Sequence, residues 1–345
     1  MPATPEQPEP APQETPPASG PARPGRGVRP YRAVVLLLIL GLAAAVLGGV
    51  WRYQTNQTVI GNRFRLAATD MAGRIADRIH TYEYGLLGAR GALLVGGDGD
   101  MTLAAFRTYA ASRDIAREFP GALGFGVITR LRPGEEEAFI ARERADGRPD
   151  FAIRRLTAHE GERWIIRYIE PTAPNAGAAG LDIASETSRA AAARAAMTSG
   201  QATLTAPITL VQATGARDRG FLLLLPVYRP GMPLGTIAER MAATTGWTYA
   251  PLVIDDVLAG TGRDDRPVEL SIRDVTEDPE AEAFHRSAGF ATSQLLTETL
   301  PIRIFGRDWL VTIGAGAPFI ASLNLADPLY TTLVLGVIAL LLAAL

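Results

Sequence analysis

The chain of 345 residues contains no cysteine and no lysine. Without cysteine there can be no disulfide, thiol nucleophile, thiolate zinc site or cysteine-ligated iron–sulfur cluster. Without lysine there is no phosphate-loop lysine, Schiff-base lysine or kinase-type ATP lysine, so glycine-rich stretches cannot complete those motifs. All 34 cations are arginine and stand against 36 acids, leaving a net charge of −2. No chain-wide positive field exists to attract a polyanion, which speaks against a nucleic-acid partner. Histidine is scarce: His80, His159 and His285 have no metal-type spacing, and Ser185 and Ser199 lack the flanking signature of an activated nucleophile. Catalytic residues, metal ligands and a cofactor are therefore not expected. With 47% hydrophobic residues and a mean hydropathy of +0.10, the bulk of the chain should fold.

What is present is organised along the chain. Residues 1–31 form a tail in which the first 30 positions hold 10 of the 25 prolines and almost no large apolar side chain, so it cannot bury a core. Residues 32–51 then carry an uncharged run that, at ~1.5 Å per helical residue, approaches the ~30 Å hydrocarbon thickness of a bilayer. Arg23, Arg26, Arg29 and Arg32 precede it, which favours a cytoplasmic N-terminus. An uncleaved anchor is the expectation; a cleaved signal peptide is the competing reading. Residues 328–345 repeat the pattern, and the chain ends inside this expected second membrane helix, for which a buried C-terminal helix is the alternative. Residues 52–327 would then lie outside the cytoplasm.

That segment opens with a helix over 60–96. Phe64, Ala68, Met71, Ile75, Ile79, Tyr82, Leu86, Ala89 and Leu93 recur in steps of three and four and form one apolar stripe. The stripe suits a stalk that pairs with a second copy, or packing inside one chain. Gly96 to Asp100 ends the helix; its aspartates lack the remaining ligands of a calcium loop. The pattern then becomes α/β: strands over Leu123–Val127, Trp164–Ile169 and Phe221–Tyr228, a charged helix over Glu135–Asp146, and a helix from Glu186 to Ser199 capped by Ser185 and stopped by Gly200. Met241–Gly246 reads as punctuation before a second unit with strands over Trp247–Ile254, Val268–Ile272, Ile302–Phe305 and Trp309–Ile313, the last two joined by Gly306-Arg307-Asp308. Asp255–Glu282 holds ten acids against three arginines, which a solvated surface explains.

An ordered series of motifs adds a resemblance. Gly124-Phe-Gly, Tyr168-Ile-Glu-Pro, Gly180-Leu-Asp-Ile-Ala-Ser-Glu, Gly200-Gln-Ala-Thr-Leu-Thr-Ala-Pro, Gly220 to Tyr228 and Gly246-Trp-Thr-Tyr-Ala-Pro251 together resemble the CHASE family of extracellular sensors, which precede histidine kinases and nucleotide cyclases. The resemblance covers about residues 60–320. It implies an α/β (α+β) fold: a long stalk helix, a distal PAS-like antiparallel-sheet subdomain over 100–235 and a proximal one over 240–320, flanked by two transmembrane helices. It implies the input half of a sensor histidine kinase or diguanylate cyclase in a bacterial inner membrane, a homodimer through the stalk and a small-molecule ligand. A stand-alone membrane-anchored binding protein is the alternative, and a periplasmic hydrolase a third reading that the empty catalytic inventory disfavours.

The family also indicates a ligand site. Positions that contact the ligand in the related plant cytokinin receptors correspond here to Arg189, Thr205, Val211 and Leu224. Where those receptors carry an aspartate that accepts a purine N–H, this chain has Arg189, which can only donate and suits a carboxylate or phosphate. The resemblance thus points to an anionic ligand; a surface arginine paired with Glu186 or Glu170 is the competing reading of Arg189.

Overall fold

The computed structural model describes residues 30–95, 101–211, 219–259, 267–290 and 294–344. The proline-rich tail before residue 30 and the Gly96–Asp100 segment lie outside them. The described residues divide into two compact units, 30–56 with 326–344 in one and those between Gln57 and Leu325 in the other.

In the first unit, the beginning of helix α1 (Pro30–Val95) lies against a helix near the C-terminus, Pro328–Ala344. Contact is close because glycine removes the obstacle: a Cβ at Gly41 would fall 2.5 Å from that of Ala339, and one at Gly49 would collide with the Thr332 hydroxyl. Asn56 Nδ2 donates to the Ala326 carbonyl at 2.9 Å. The apolar window of α1 has a mean hydropathy of 2.8 and is only 11% buried, and none of Pro328–Ala344 is buried. Such a pair leaves its apolar surface outward, which water would penalise and a bilayer would not.

The second unit contains the rest of α1 and two antiparallel sheets. The larger comprises β1 (Phe125–Leu131), β2 (Arg154–Arg155), β3 (Arg163–Glu170), β4 (Leu181–Asp182), β5 (Thr203–Leu204), β6 (Ile208–Thr209), β7 (Arg219–Tyr228) and β8 (Thr244–Val253). Its order among the described residues is β2-β4-β3-β1-β8-β7-β5, with β6 also on β7; the short β2–β4 pair is its one parallel contact. The smaller comprises β9 (Glu269–Asp274), β10 (Ala283–Arg286), β11 (Leu296–Ile304) and β12 (Arg307–Ala315), in the order β10-β9-β12-β11. Nine further helices follow α1: α2 (Leu103–Ala111), α3 (Ile115–Glu118), α4 (Glu136–Ala145), α5 (Thr172–Asn175), α6 (Thr187–Ser199), α7 (Ile237–Ala243), α8 (Ile254–Leu258), α9 (Ala317–Ser322) and α10 (Pro328–Ala344), among the described residues.

The strand β7 explains the layering. Phe221, Leu223 and Leu225 enter the cluster that contains the α1 stripe, whereas Leu222 and Leu224 enter a second cluster with Ala192, Ala193, Ala196 and Met197 of α6. A strand covered on both faces loses polar alternation, hence its uninterrupted apolar run. The expected α1 stripe, from Phe64 to Leu93, is no more than 4% exposed at every position. Each buried Met, Ile or Leu contributes about 1.5–3 kcal/mol, so the stripe is a principal part of the core. It is consumed by intramolecular packing and is not a free dimer face.

Four local expectations need correction. The strand expected to open a second unit is β8, which pairs with β1 and β7 in the larger sheet, so the proposed boundary near residue 240 falls inside that sheet. The interval Met241–Gly246 does not interrupt the chain: α7, closed by a Thr236–Glu239 capping box, leads directly into β8. The α6 cap is Glu186, whose carboxylate accepts from the Ser188 and Arg189 amides, while the Ser185 hydroxyl accepts from the Leu156 amide instead. The β11–β12 turn is Phe305-Gly306, both at positive φ (45° and 83°), because a two-residue hairpin matching sheet twist needs left-handed residues.

Candidate ligand site

On the α6-facing side of the larger sheet, the Tyr249 hydroxyl is buried without a hydrogen-bond partner among the described residues. Tyr249 on β8 lies beside Gly126 on β1 and Leu224 on β7, since the strand registers place these three in one row. The missing side chain at Gly126 is required: a Cβ there would fall 2.3 Å from Cε1 of the Tyr249 ring and 2.4 Å from the Tyr168 carbonyl oxygen. Two residues earlier, a Cβ at Gly124 would meet the Glu170 carbonyl at 2.4 Å and Asn175 Nδ2 at 3.3 Å. The Gly124-Phe-Gly126 motif thus clears space for an aromatic hydroxyl and an amide over the start of β1.

Arg189 descends from the first turn of α6 and is 4% exposed. Its Nη2 donates to the Thr209 carbonyl at 2.9 Å, and its Nη1 lies 3.5 Å from a Glu186 oxygen, a long contact for an ion pair. Glu186 is already occupied, accepting from the Ser188 and Arg189 amides at 2.8 and 3.0 Å. Glu170 does not reach Arg189 and is bound by Arg107 at 3.0 Å. Burial pushes the Arg189 guanidinium below its ordinary value, opposed by Glu186 and Tyr249. The same burial drives the Tyr249 phenol strongly upward, so it stays protonated. Its hydroxyl is buried without a hydrogen-bond partner among the described residues, as is Asn175 Oδ1. Asn175 Nδ2 is fixed by the Leu123 and Pro171 carbonyls at 2.8 and 2.9 Å, so its oxygen is left as an oriented acceptor.

The four residues expected from sequence are placed differently. Leu224 is fully buried in the cluster shared with α6 and Tyr249. Thr205 is fully buried, but its hydroxyl accepts from the Leu222 amide at 3.0 Å, so it ties the Gly200 segment to β7. Val211 is 39% exposed, and Arg189 meets that segment two residues earlier, at Thr209. Tyr249 and Asn175 are not among the residues that the sequence points to. Tyr249 stands within Gly246-Trp-Thr-Tyr-Ala-Pro251, so the motif carried a signal; Asn175 sits in a stretch with no pattern.

Two cavities lie elsewhere in this unit. One of about 620 Å³ is lined by His159, Trp164, Ser185, Thr187, Ala190 and Arg194, among others, and one of about 600 Å³ by the ends of β1 and β7, the start of β8, and α4. Neither is lined by Arg189, Thr205, Val211 or Leu224. Beside the first, His159 Nε2 lies 2.8 Å from the buried Asp182 carboxylate, which also accepts from the Trp164 and Ala184 amides and so anchors the 157–162 loop.

The folded unit thus combines a long helix with an antiparallel sheet covered on both faces and buried polar groups beneath α6. The family model described as "CHASE domain" matches residues 99–285, more than half of the chain, and the chain belongs to that family. It is accordingly an extracytoplasmic ligand-sensing module of a receptor. The periplasmic sensory domain of the Campylobacter jejuni chemoreceptor Tlp1 is similar at 8% identity and a TM-score of 0.42, over 78% of this chain and 98% of that one. The sensory domain of the C. jejuni chemoreceptor Tlp3, solved with isoleucine bound, is similar at 9% identity and a TM-score of 0.28, over 86% of this chain and all of that one. No curated protein matches the chain.

Proposed function

We propose that the larger sheet binds a small anionic ligand under α6, with Arg189 as its anchor and Thr205, Val211 and Leu224 as surrounding residues. One observation carries this reading: among the described residues, a buried guanidinium with a single long carboxylate contact stands in the same layer as a buried phenol without a hydrogen-bond partner. Such groups lose hydration on folding and regain it only from a partner of opposite polarity. An anionic group supplies the charge for Arg189 and an acceptor for the Tyr249 hydroxyl. A desolvated arginine–carboxylate contact is worth about 1.5–3 kcal/mol, so Arg189→Ala should weaken such a ligand by roughly tenfold to a hundredfold. Calorimetry with small carboxylates, purines and phosphorylated metabolites tests this; equal affinity in wild type and Arg189→Ala refutes it.

The module is further proposed to be the input half of a sensor histidine kinase or diguanylate cyclase in a bacterial inner membrane. The support is the apolar beginning of α1 and the uncharged 328–345 segment on either side of the folded unit. Alkaline phosphatase fused after Tyr228 should be active and after Pro30 inactive, and the reading frame beyond Leu345 should encode the output.

Dimerisation through the stalk needs a face other than the buried stripe. Leu66, Gly73, His80, Leu87 and Leu94 repeat at seven-residue intervals, and Leu66, Tyr84, Leu87 and Leu94 are 59%, 72%, 37% and 37% exposed. A seven-residue repeat keeps one seam facing a partner helix, and a Cβ at Gly73 or Gly91 would meet open space. This seam is the proposed contact between two copies.

A further inference from the structure

The cavity of about 600 Å³ where β1 and β7 end and β8 begins has a charge pattern unlike the rest of the chain. Its wall includes Arg130, Arg132, Arg142, Arg167 and Arg229 with Glu135 as the single acid, whereas the chain as a whole balances 34 cations against 36 acids.

Two of these arginines are neutralised from behind. Arg130 makes a two-pronged pair with Glu162 at 2.7 and 2.8 Å, and Arg167 binds the fully buried Glu143 at 2.7 Å. The other three come from separate elements: Arg132 just after β1, Arg142 in the last turn of α4, and Arg229 just after β7. All three are exposed, and among the described residues their side chains make no ion pair or hydrogen bond. Against Glu135 they leave a surplus of two positive charges around one concavity.

Like charges held at the rim of a cleft repel one another, and a concave wall focuses their field. A guanidinium fork matches the planar oxygens of a carboxylate or the tetrahedral oxygens of a phosphate, and three forks from three elements can grip a group bearing two charges. We infer that this cavity is a second ligand site, separate from the Arg189 layer, that takes a small dianion.

The site also has a route to influence. Leu93 of the α1 stripe lines the same cavity, so an occupant would touch the helix whose packing the larger sheet fixes. Binding there can bias that helix by the differential contacts it makes, independently of the Arg189 site.

The test is titration of the full chain in neutral nanodiscs with inorganic phosphate and, separately, with succinate. At least one should bind at millimolar concentration or tighter, with affinity falling as sodium chloride is added. Arg142→Ala and Arg229→Ala should each weaken it about tenfold and together about a hundredfold. Because both side chains are exposed and unpaired, the variants should melt within a degree or two of wild type. Arg189→Ala should leave this binding unchanged, which separates the two sites. Preference for phosphate or for succinate identifies the headgroup. Absence of binding by both probes, an unaltered affinity in the double variant, or loss of binding in Arg189→Ala alone would each overturn the inference.

Discussion

Replacing Tyr249 by Phe should raise the stability of the ligand-free protein while impairing ligand binding. The residue is completely buried, and its hydroxyl meets no partner among the described residues. A buried hydroxyl without a partner costs about 1–3 kcal/mol, which the phenylalanine does not incur. The ring is retained, so its contacts with Leu224, Trp247 and α6 persist and no cavity opens. For a folded unit of this size, each kcal/mol moves the midpoint by about 2–4 °C, so Tyr249→Phe should melt about 2–12 °C above wild type without ligand. With saturating ligand the order should close or reverse, because the ligand's acceptor loses its donor. Differential scanning calorimetry of both proteins, with and without ligand, measures both halves. A ligand-free Tyr249→Phe that melts below wild type would refute the reasoning, since the hydroxyl would then be bonded in the resting protein.

Three further outcomes follow from the same geometry. Gly126→Ala should destabilise by about 1–3 kcal/mol in urea unfolding, because the Tyr168 carbonyl it would strike is backbone and cannot swing away. Single cysteines at Leu66, Leu87 or Leu94 should crosslink two copies, while those at Met71, Ile75 or Ile79 should not; the reverse pattern would return the buried stripe to the dimer interface. The Arg130 hydrogen bonds hold the Glu162 carboxyl below its ordinary range, so its contribution to stability is complete above the unfolded carboxylate pKa and is lost as pH falls through the lower folded value. Acid unfolding of Arg130→Gln should therefore lack that part of the pH dependence and begin at higher pH, and superimposable profiles would exclude the pair as a contributor.

The elements that the sequence determined by itself are those encoded by local period. The stripe from Phe64 to Leu93 repeats every three or four residues, and only a helix presents such residues on one face. The unbroken run in β7 and the alternation in β9 likewise follow from which faces are covered. Gly200 stops α6 at φ 80° because few other residues tolerate that backbone. The ordered motifs carried the family, since each spaced glycine or proline marks a geometric demand.

Tertiary structure decided everything that depends on partners distant in sequence. The stripe could have faced a second copy, and only the sheets packed on it made it internal. A strand's pattern does not name the sheet it joins, so β8 was separated from β1 and β7 until pairing placed Gly246–Tyr249 beside them. The helix at Arg189 was legible, yet its burial, its carbonyl partner at Thr209 and its approach to Tyr249 depend on three segments meeting. The arginines at 132, 142 and 229 are unremarkable one by one in a chain whose every cation is arginine. They become a common electrostatic field only because the end of β1, the end of β7 and α4 fold around one cavity. Local sequence sets periodicity, whereas desolvation and charge convergence are properties of contacts that the folded chain alone creates.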